Sequence, residues 1–312
     1  MSAKMITHVA ISGAKGFVGK NLRNFLSKNN IRTISISRNH FKKNQFPSLN
    51  NTSHFVHLAG IGSESIDQKF EKVNIETTKT VINLCKQNKI KNIIYLSGLG
   101  VSKNSRSSYF ISKFNAEQLI KKSGLRYTIF RPSYIIGNDD YLTKNITKQI
   151  SKKQILVPGS GKFIIQPISI EDVCSCITIA LNSPNFSNKI IDLVGPREIS
   201  FQSLIKKSMP SNMKIKKINL ELAYKKALND INFEYGIDDL NILVGNYTGN
   251  HNKLQKLCNF TFKKIESLKE YKSQSFRPYA SSEIIKSQSQ LLGLQSGRSK
   301  YAESFEVIRL FS

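Results

Sequence analysis

Residues 7–19 read THVAISGAKGFVG, an apolar run from Thr7 to Ser12 followed at once by glycines at 13, 16 and 19. The run has the length and branched side chains of a buried strand. From Lys20 to Asn29 the chain continues as an amphipathic helix, with Val18, Leu22, Phe25 and Leu26 on one face. Glycines set between a strand and a helix are the context in which a loop wraps the phosphates of a dinucleotide. Gly13 permits the tight turn, Gly16 lets the backbone approach the pyrophosphate, and Gly19 allows the helix to pack closely on the strand, with Phe17 and Val18 completing the loop. The N–H groups and positive dipole end of the helix then face the phosphates. The spacing is G-x-x-G-x-x-G rather than G-x-G-x-x-G.

Outward from this loop the pattern alternates. Ile31 to Ser37, His54 to Ala59, Asn92 to Ser97 and Arg126 to Arg131 read as strands. Ile66 to Asn88 and Arg106 to Ser123 read as helices between them. Strands alternating with helices predict an α/β fold, a doubly wound parallel sheet of Rossmann type. The end of the second strand chooses the cofactor, because an acid there binds the adenosine ribose and a base pairs with a 2′-phosphate. Here the strand ends in Arg38, with Lys42 and Lys43 beyond and no acid nearby. The expectation is therefore NADP, with NAD left open.

Further motifs follow in order. His57-Leu58-Ala59-Gly60 closes the third strand, and Val73-Asn74 with Thr77 lies in the next helix. Tyr109-Phe110-Ile111-Ser112-Lys113 is followed by Ala116-Glu117, and Phe130-Arg131-Pro132-Ser133 by Gly137. Gln166-Pro167-Ile168 precedes Glu171-Asp172-Val173. Together with the glycine loop, this set resembles the extended or atypical branch of the short-chain dehydrogenase/reductase superfamily, which includes the NAD-dependent sugar-nucleotide epimerases and dehydratases. The resemblance spans roughly residues 6–194 and continues more weakly to about 267. It implies that Tyr109 is the general acid/base and that Lys113 assists it and binds the nicotinamide ribose. It also implies that Leu58, Ala59, Gly60, Pro132 and Ser133 line the cofactor cleft. Tyr109 and Lys113 are four residues apart, on one helix face. A neighbouring ammonium is expected to lower the phenol's ordinary value near ~10.

Two features depart from the family. Its third catalytic group is usually the second residue of a Ser-Ser or Ser-Thr pair, and here the pair is Ser97-Gly98. Either Ser97 serves as the catalytic hydroxyl or the site lacks one. The connections from Ser97 to Tyr109 and from Arg38 to His54 are also short. They resemble a branch related to the NADPH-binding accessory subunit of respiratory complex I, whose members often lack full catalytic machinery.

Composition bounds the rest. The chain has 312 residues with 47 basic against 21 acidic ones, a formal charge of +26. Such a field attracts polyanions, yet lysines are spread along the whole chain without interleaved aromatics. Nucleic acid is thus a less favoured partner than a small-molecule substrate, and the resemblance makes that substrate a nucleotide sugar. Four cysteines without a Cys-x-x-Cys pair exclude a disulfide scaffold and argue against zinc. No apolar stretch has the ~20 residues of a membrane span. Residues 1–15 lack the pattern of a secretory leader, so the expected location is cytoplasmic. Ser169 is expected to cap a helix reaching about Leu181, with Asp172 structural, and Ser200 another over 201–207. Residues 189–194 and 214–220 read as strands. The expected organisation is a nucleotide-binding domain over 1–270 with an interleaved substrate lobe, mainly 138–165 and 195–270. A basic, loosely packed extension follows over 271–312. Three functions compete: an epimerase, dehydratase or reductase of nucleoside-diphosphate sugars; an NADPH-binding accessory or redox-sensing subunit of a membrane complex; and an RNA-binding protein on the same fold. The resemblance also implies a homodimer paired through the helix bearing Tyr109.

Overall fold

Thirteen residues around the glycine loop set the frame. In chain order the elements are β1 (His8–Ser12), α1 (Phe17–Lys28), β2 (Arg32–Ile36), α2 (Arg38–Lys43) and β3 (His54–His57). A π-helical stretch (Glu71–Glu76) runs into α3 (Thr77–Gln87), followed by β4 (Asn92–Leu96), α4 (Ser108–Lys121) and β5 (Arg126–Pro132). Then come β6 (Ile135–Ile136), α5 (Tyr141–Ser151), β7 (Ile155–Pro158), β8 (Ile164–Ile165), β9 (Ile168–Ser169) and α6 (Ile170–Asn182). The last are β10 (Lys189–Leu193), β11 (Ile199–Ser200), α7 (Phe201–Ser208), β12 (Ile215–Ile218), α8 (Leu220–Asn229), α9 (Ile237–Leu243) and α10 (His251–Cys258). This computed structural model describes residues 8–230 and 232–271. The expected extension over 271–312 lies, from 272 onward, outside the described residues.

Six strands form one parallel sheet in the order β10-β5-β4-β3-β1-β2. The chain moves from β1 to β2 on one side, then returns to β3 on the other. The strand order therefore reverses between β1 and β3, and a ligand crevice opens beyond the carboxyl ends of strands at such a point. Gly13 follows β1 and Leu58 follows β3, so the glycine loop and the Leu58–Gly60 segment flank that crevice. The strand interiors are apolar because helices cover both faces. Val9, Ala10, Ile11, Phe55 and Val56 are fully buried. On one face Ala10, Phe55, Val81, Cys85, Ile93 and Ile120 share a core.

A second core gathers α5, β7, α7, β12, α8 and α9 around Ile155, Val157, Phe201, Leu204 and Leu240. Phe110 of α4 joins it, so the helix bearing the tyrosine motif touches both parts of the molecule. The caps expected at Ser169 and Ser200 are present: their hydroxyls accept the N–H groups of Asp172 (2.9 Å) and Ser203 (3.2 Å). Asp172 is structural. It accepts the Lys263 N–H at 2.9 Å, and burial raises its carboxyl to about 6. Helix α10 docks on α6 with the buried thiols of Cys258 and Cys176 3.4 Å apart.

The expected helix over 66–88 is shorter and less regular. Regular α-helix begins only at Thr77, after a π-helical stretch that holds Asn74 buried. Such stretches favour functional positions, and Asn74 reaches the site below. Among the described residues no helix is long and apolar enough to cross a membrane, and no cluster of three metal-ligating side chains occurs.

Candidate functional site

The glycine loop divides into two glycines the fold itself requires and one it does not. Gly13 sits at φ +69°, and a Cβ there would lie 2.7 Å from the backbone of Leu58 and Ala59. A Cβ on Gly19 would collide with the Gly13 carbonyl oxygen. Gly16 is exposed, and its Cβ would meet a single neighbour, Gly13 O at 3.3 Å. Helix α1 starts there with no side-chain cap and no acidic residue in its first turn. Half-buried Val18 lies in that turn. Its unsatisfied N–H groups and dipole therefore suit an anion brought against bare backbone, as a dinucleotide pyrophosphate would be. Arg38 is exposed as the first residue of α2, just past β2.

Beneath the loop, His57 crosslinks three segments. Its Nδ1 accepts the Ser12 hydroxyl at 2.7 Å, and its Nε2 donates to Thr78 Oγ1 at 2.9 Å, which donates onward to Asn74 O. Burial holds the imidazole's pKa down to about 3, so it stays neutral and donates from one nitrogen only. Asn74 Oδ1 accepts the Ile61 N–H at 2.9 Å, and its Nδ2 donates to Ser112 Oγ at 2.9 Å. This ties the segment after β3 to α4. Gly60 lies at the junction, where a Cβ would come within 3.0 Å of Lys113 Nζ.

Beyond the sheet edge a cavity of about 530 Å³ brings together Phe17, Leu58, Gly60, Ser97, Tyr109, Lys113, Pro132 and Ser133. These were singled out in widely separated motifs. The loop glycines, Val18, Ala59 and Arg38 lie outside its lining. Ser133 Oγ donates to Tyr247 O at 3.0 Å, so it anchors the lobe as well as lining the cavity.

Tyr109 and Lys113 share a face of α4, but the ammonium does not lower the phenol. Lys113 Nζ donates to Leu96 O at 3.1 Å and lies 6.0 Å from the Tyr109 ring centroid. Burial raises Tyr109 to about 12, against the expected decrease. Desolvation prevails because the charge is too distant to offset it. The same burial brings Lys113 down to about 8, with Glu117 one turn on opposing the decrease.

Ser97 turns away from Tyr109. Its hydroxyl donates to Glu117 Oε1 at 2.6 Å. Glu117 is fully buried and also takes a bidentate pair from Arg131, at 2.9 Å from Nε and 2.6 Å from Nη2. It is Gly98 that faces the phenol: a Cβ there would lie 3.4 Å from Tyr109 Oη. The structure thus brings a bare glycine to the place where a hydroxyl partner of the tyrosine would sit.

Sequence patterns missed the outer wall of the cavity. It is built by Tyr134, Tyr141, Tyr235, Ile242, Leu243 and Tyr247, from four separate segments. Asp140 and Asp239 also line it, and both are engaged. Asp140 caps α5, its oxygens accepting the N–H groups of Thr143 (2.8 Å) and Gly137 (3.0 Å). Asp239 Oδ2 accepts the Gly236 N–H at 2.9 Å and the Tyr141 hydroxyl at 2.8 Å. The Asp140-x-x-Thr143 spacing was a readable cap signature, whereas the tyrosines share no local pattern.

Comparison with known proteins bears on the family and the fold. The sequence model of the NAD dependent epimerase/dehydratase family matches residues 9–193. Prestalk A differentiation protein A of Dictyostelium discoideum is 27% identical over 152 residues, 48% of this chain and 47% of that protein. NADH dehydrogenase [ubiquinone] 1 alpha subcomplex subunit 9, mitochondrial, of the same organism is 22% identical over 177 residues, 56% of this chain and 49% of that one. The chain spans about half the length of these two relatives. Among solved structures, UDP-glucuronic acid 4-epimerase from Bacillus cereus, in complex with UDP-glucuronic acid and NAD, superposes with a TM-score of 0.63 at 17% identity. The match covers 90% of this chain and all of that one. At that identity the likeness concerns the fold.

Proposed function

Because the chain belongs to the NAD dependent epimerase/dehydratase family, we propose that it binds a nicotinamide dinucleotide across the β1/β3 crevice and uses it in redox chemistry at a hydroxyl-bearing carbon. What supports this best is the shared cavity: Tyr109, Lys113, Gly60 and Pro132 meet there, beside a glycine loop whose Gly16 leaves the α1 N-terminus uncovered. The dinucleotide, when bound, supplies or accepts the hydride. Gly13, Gly16 and Gly19 hold its phosphates against α1, and Leu58, Gly60 and Pro132 border its nicotinamide end. Tyr109 gives a proton to the substrate oxygen or takes one from it. Its raised pKa keeps it protonated at neutral pH, which suits reduction of a ketone, with Tyr109 as the acid. Lys113, held on Leu96 O and 6.0 Å from the Tyr109 ring, would bind the nicotinamide ribose. Ser97 acts through Glu117 to fix α4 against β5. Nucleoside-diphosphate sugars, of which UDP-glucuronic acid is the one bound in the Bacillus cereus epimerase, are the substrate class that the motifs and the family favour.

Gly98 and the engaged Ser97 hydroxyl favour a second reading, in which the dinucleotide is bound but not turned over, as in an accessory or redox-sensing subunit. Both readings share the cofactor, and Arg38 tests its identity. NADPH and NADH are titrated against wild type and Arg38→Ala by nicotinamide fluorescence. NADPH is expected to bind about tenfold more tightly than NADH, a difference of about 1.4 kcal/mol, and Arg38→Ala to abolish that preference. Equal or tighter NADH binding, indifferent to the substitution, would overturn the NADP assignment.

A further inference from the structure

We propose that the amino-terminal edge of the six-stranded sheet binds the phosphodiester backbone of a single-stranded nucleic acid. This edge and the redox cavity lie at opposite ends of the strands, so each can be tested with the other intact.

The topology gathers cations that the sequence scatters. In a parallel sheet every strand starts at the same edge, and each crossover helix runs back to end there. Arg32 opens β2, Lys91 directly precedes β4, Arg126 opens β5 and Lys189 opens β10. Lys89 follows α3 and Lys122 follows α4 at the same edge. All six are exposed. Among the described residues none of them pairs with a carboxylate, whereas Arg131, further along β5, is held by Glu117. Basic side chains near helix C-termini ordinarily offset the helix dipole. Each helix end carries only about half a negative charge, so the ends of α1, α3, α4 and α6 leave an excess of about four positive charges. Lys89 holds φ +55°, a left-handed position that glycine or asparagine fills at less cost.

A cavity of about 210 Å³ opens in the middle of this row. His54, Asn92, Arg126 and Tyr127 line it at the starts of β3, β4 and β5, with Asn182 and Ser183 at the end of α6. Arg126 Nε donates to Asn92 Oδ1 at 3.0 Å, and its main-chain N–H to Lys91 O at 2.9 Å. The guanidinium is thus held by one edge, which leaves its Nη groups for a phosphate oxygen. Burial and the Arg126 charge bring His54 down to about 4, so its ring is neutral at pH 7. That ring and half-buried Tyr127 offer the flat surfaces on which an unpaired base stacks. Adjacent strands lie ~4.8 Å apart, so Lys189, Arg126 and Lys91, on neighbouring β10, β5 and β4, form a line of charge. A line of cations beside a ring-bearing pocket suits a chain of phosphates with splayed bases better than a lipid surface. The most exposed large apolar side chains, Ile66, Leu228 and Tyr141, which could enter a bilayer, lie after β3, in α8 and in α5.

The test follows a fluorescein-labelled oligouridine by polarisation, added to the full chain with NADPH saturating so that the glycine loop is occupied. The wild type is expected to bind, and to lose about sevenfold in affinity for each doubling of salt, the slope of about four phosphate contacts to a single strand. The triple variant Lys91→Glu, Arg126→Glu, Lys189→Glu is expected to bind about tenfold or more weakly, with NADPH affinity and urea midpoint unchanged. Lys91→Glu with Lys189→Glu keeps the Arg126–Asn92 bond and is expected to cost about threefold or more. Lys216→Glu, Lys217→Glu and Lys225→Glu together remove the same charge from exposed lysines of the lobe and are expected to stay within about twofold of wild type. Equal loss in the lobe variant, no binding of the oligouridine by the wild type, or capture of the wild type by phosphatidylserine vesicles in its place would overturn the proposal. A folded chain that binds the oligouridine through this edge but no NADPH would sink the redox reading alone.

Discussion

Tyr109→Phe is expected to lower turnover by about 10²- to 10⁴-fold, the range in which a positioned acid or base contributes, while NADPH binding stays within about twofold of wild type. The phenyl ring keeps the contacts of Tyr109 with Phe70 and Phe110, whose centroids lie 6.1 and 5.1 Å away. No hydrogen bond that orders the fold is removed with the hydroxyl, so the variant isolates the proton. Burial holds that proton on the phenol up to about pH 12. At neutral pH the resting tyrosine is therefore an acid, and the loss should be measured first in the reductive direction, following NADPH absorbance. Unchanged turnover would remove Tyr109 from the chemistry. A chain with no turnover in any form, but intact NADPH binding, would favour the accessory-subunit reading.

The second large effect concerns stability. Glu117→Ala is expected to lower unfolding free energy by about 3 kcal/mol, read from the urea midpoint at constant m-value. Glu117 is fully buried and satisfies two partners, the Ser97 hydroxyl and the Arg131 guanidinium. Its removal leaves both without an acceptor. Breaking a buried pair from one side costs about 3–5 kcal/mol. The lower figure applies because the Arg131 side chain is 24% exposed and water can reach it. Glu117→Gln keeps an acceptor but loses the charge, and it should fall between the two. A loss below about 0.5 kcal/mol for Glu117→Ala would show that the network adds little, as exposed ion pairs do.

The sheet was legible because its causes are local. Apolar runs of strand length, each ended by a polar residue or glycine, alternate with helical periodicity, and β1 to β5 and β10 lie where those runs predict. The strand ends moved by up to two residues, and the helix starts moved further, by three at α1 and by eleven at α3, where the π-helical stretch intervenes. Helix α1 starts at Phe17 because the loop's last glycine is already helical, and β3 stops at His57, whose ring turns inward to Ser12 and Thr78. The cavity's inner half was also legible, because Tyr109 and Lys113 are neighbours on one helix. Its outer half was not, because Tyr134, Tyr141, Tyr235 and Tyr247 converge only when α5 and α9 fold over the sheet edge. Two points depended on depth rather than order. Lys113 looked close enough to lower Tyr109, but burial outweighs a charge 6.0 Å from the ring. The sequence left open whether Ser97 serves as the catalytic hydroxyl or the site lacks one; in the fold the Ser97 hydroxyl is engaged by Glu117 while Gly98 faces the phenol.

The central claim is that a nicotinamide dinucleotide lies on the open N-terminus of α1, and Gly16→Asp addresses it most directly. A Cβ at Gly16 meets one neighbour, Gly13 O at 3.3 Å, which must yield by a few tenths of an ångström, and the substitution sets a carboxylate where the pyrophosphate would lie. NADPH titrated against wild type and variant, followed by nicotinamide fluorescence, is predicted to bind the wild type and to bind Gly16→Asp about tenfold or more weakly, at unchanged urea midpoint. Equal NADPH affinity in the two proteins, or none in a folded wild type, would contradict the account.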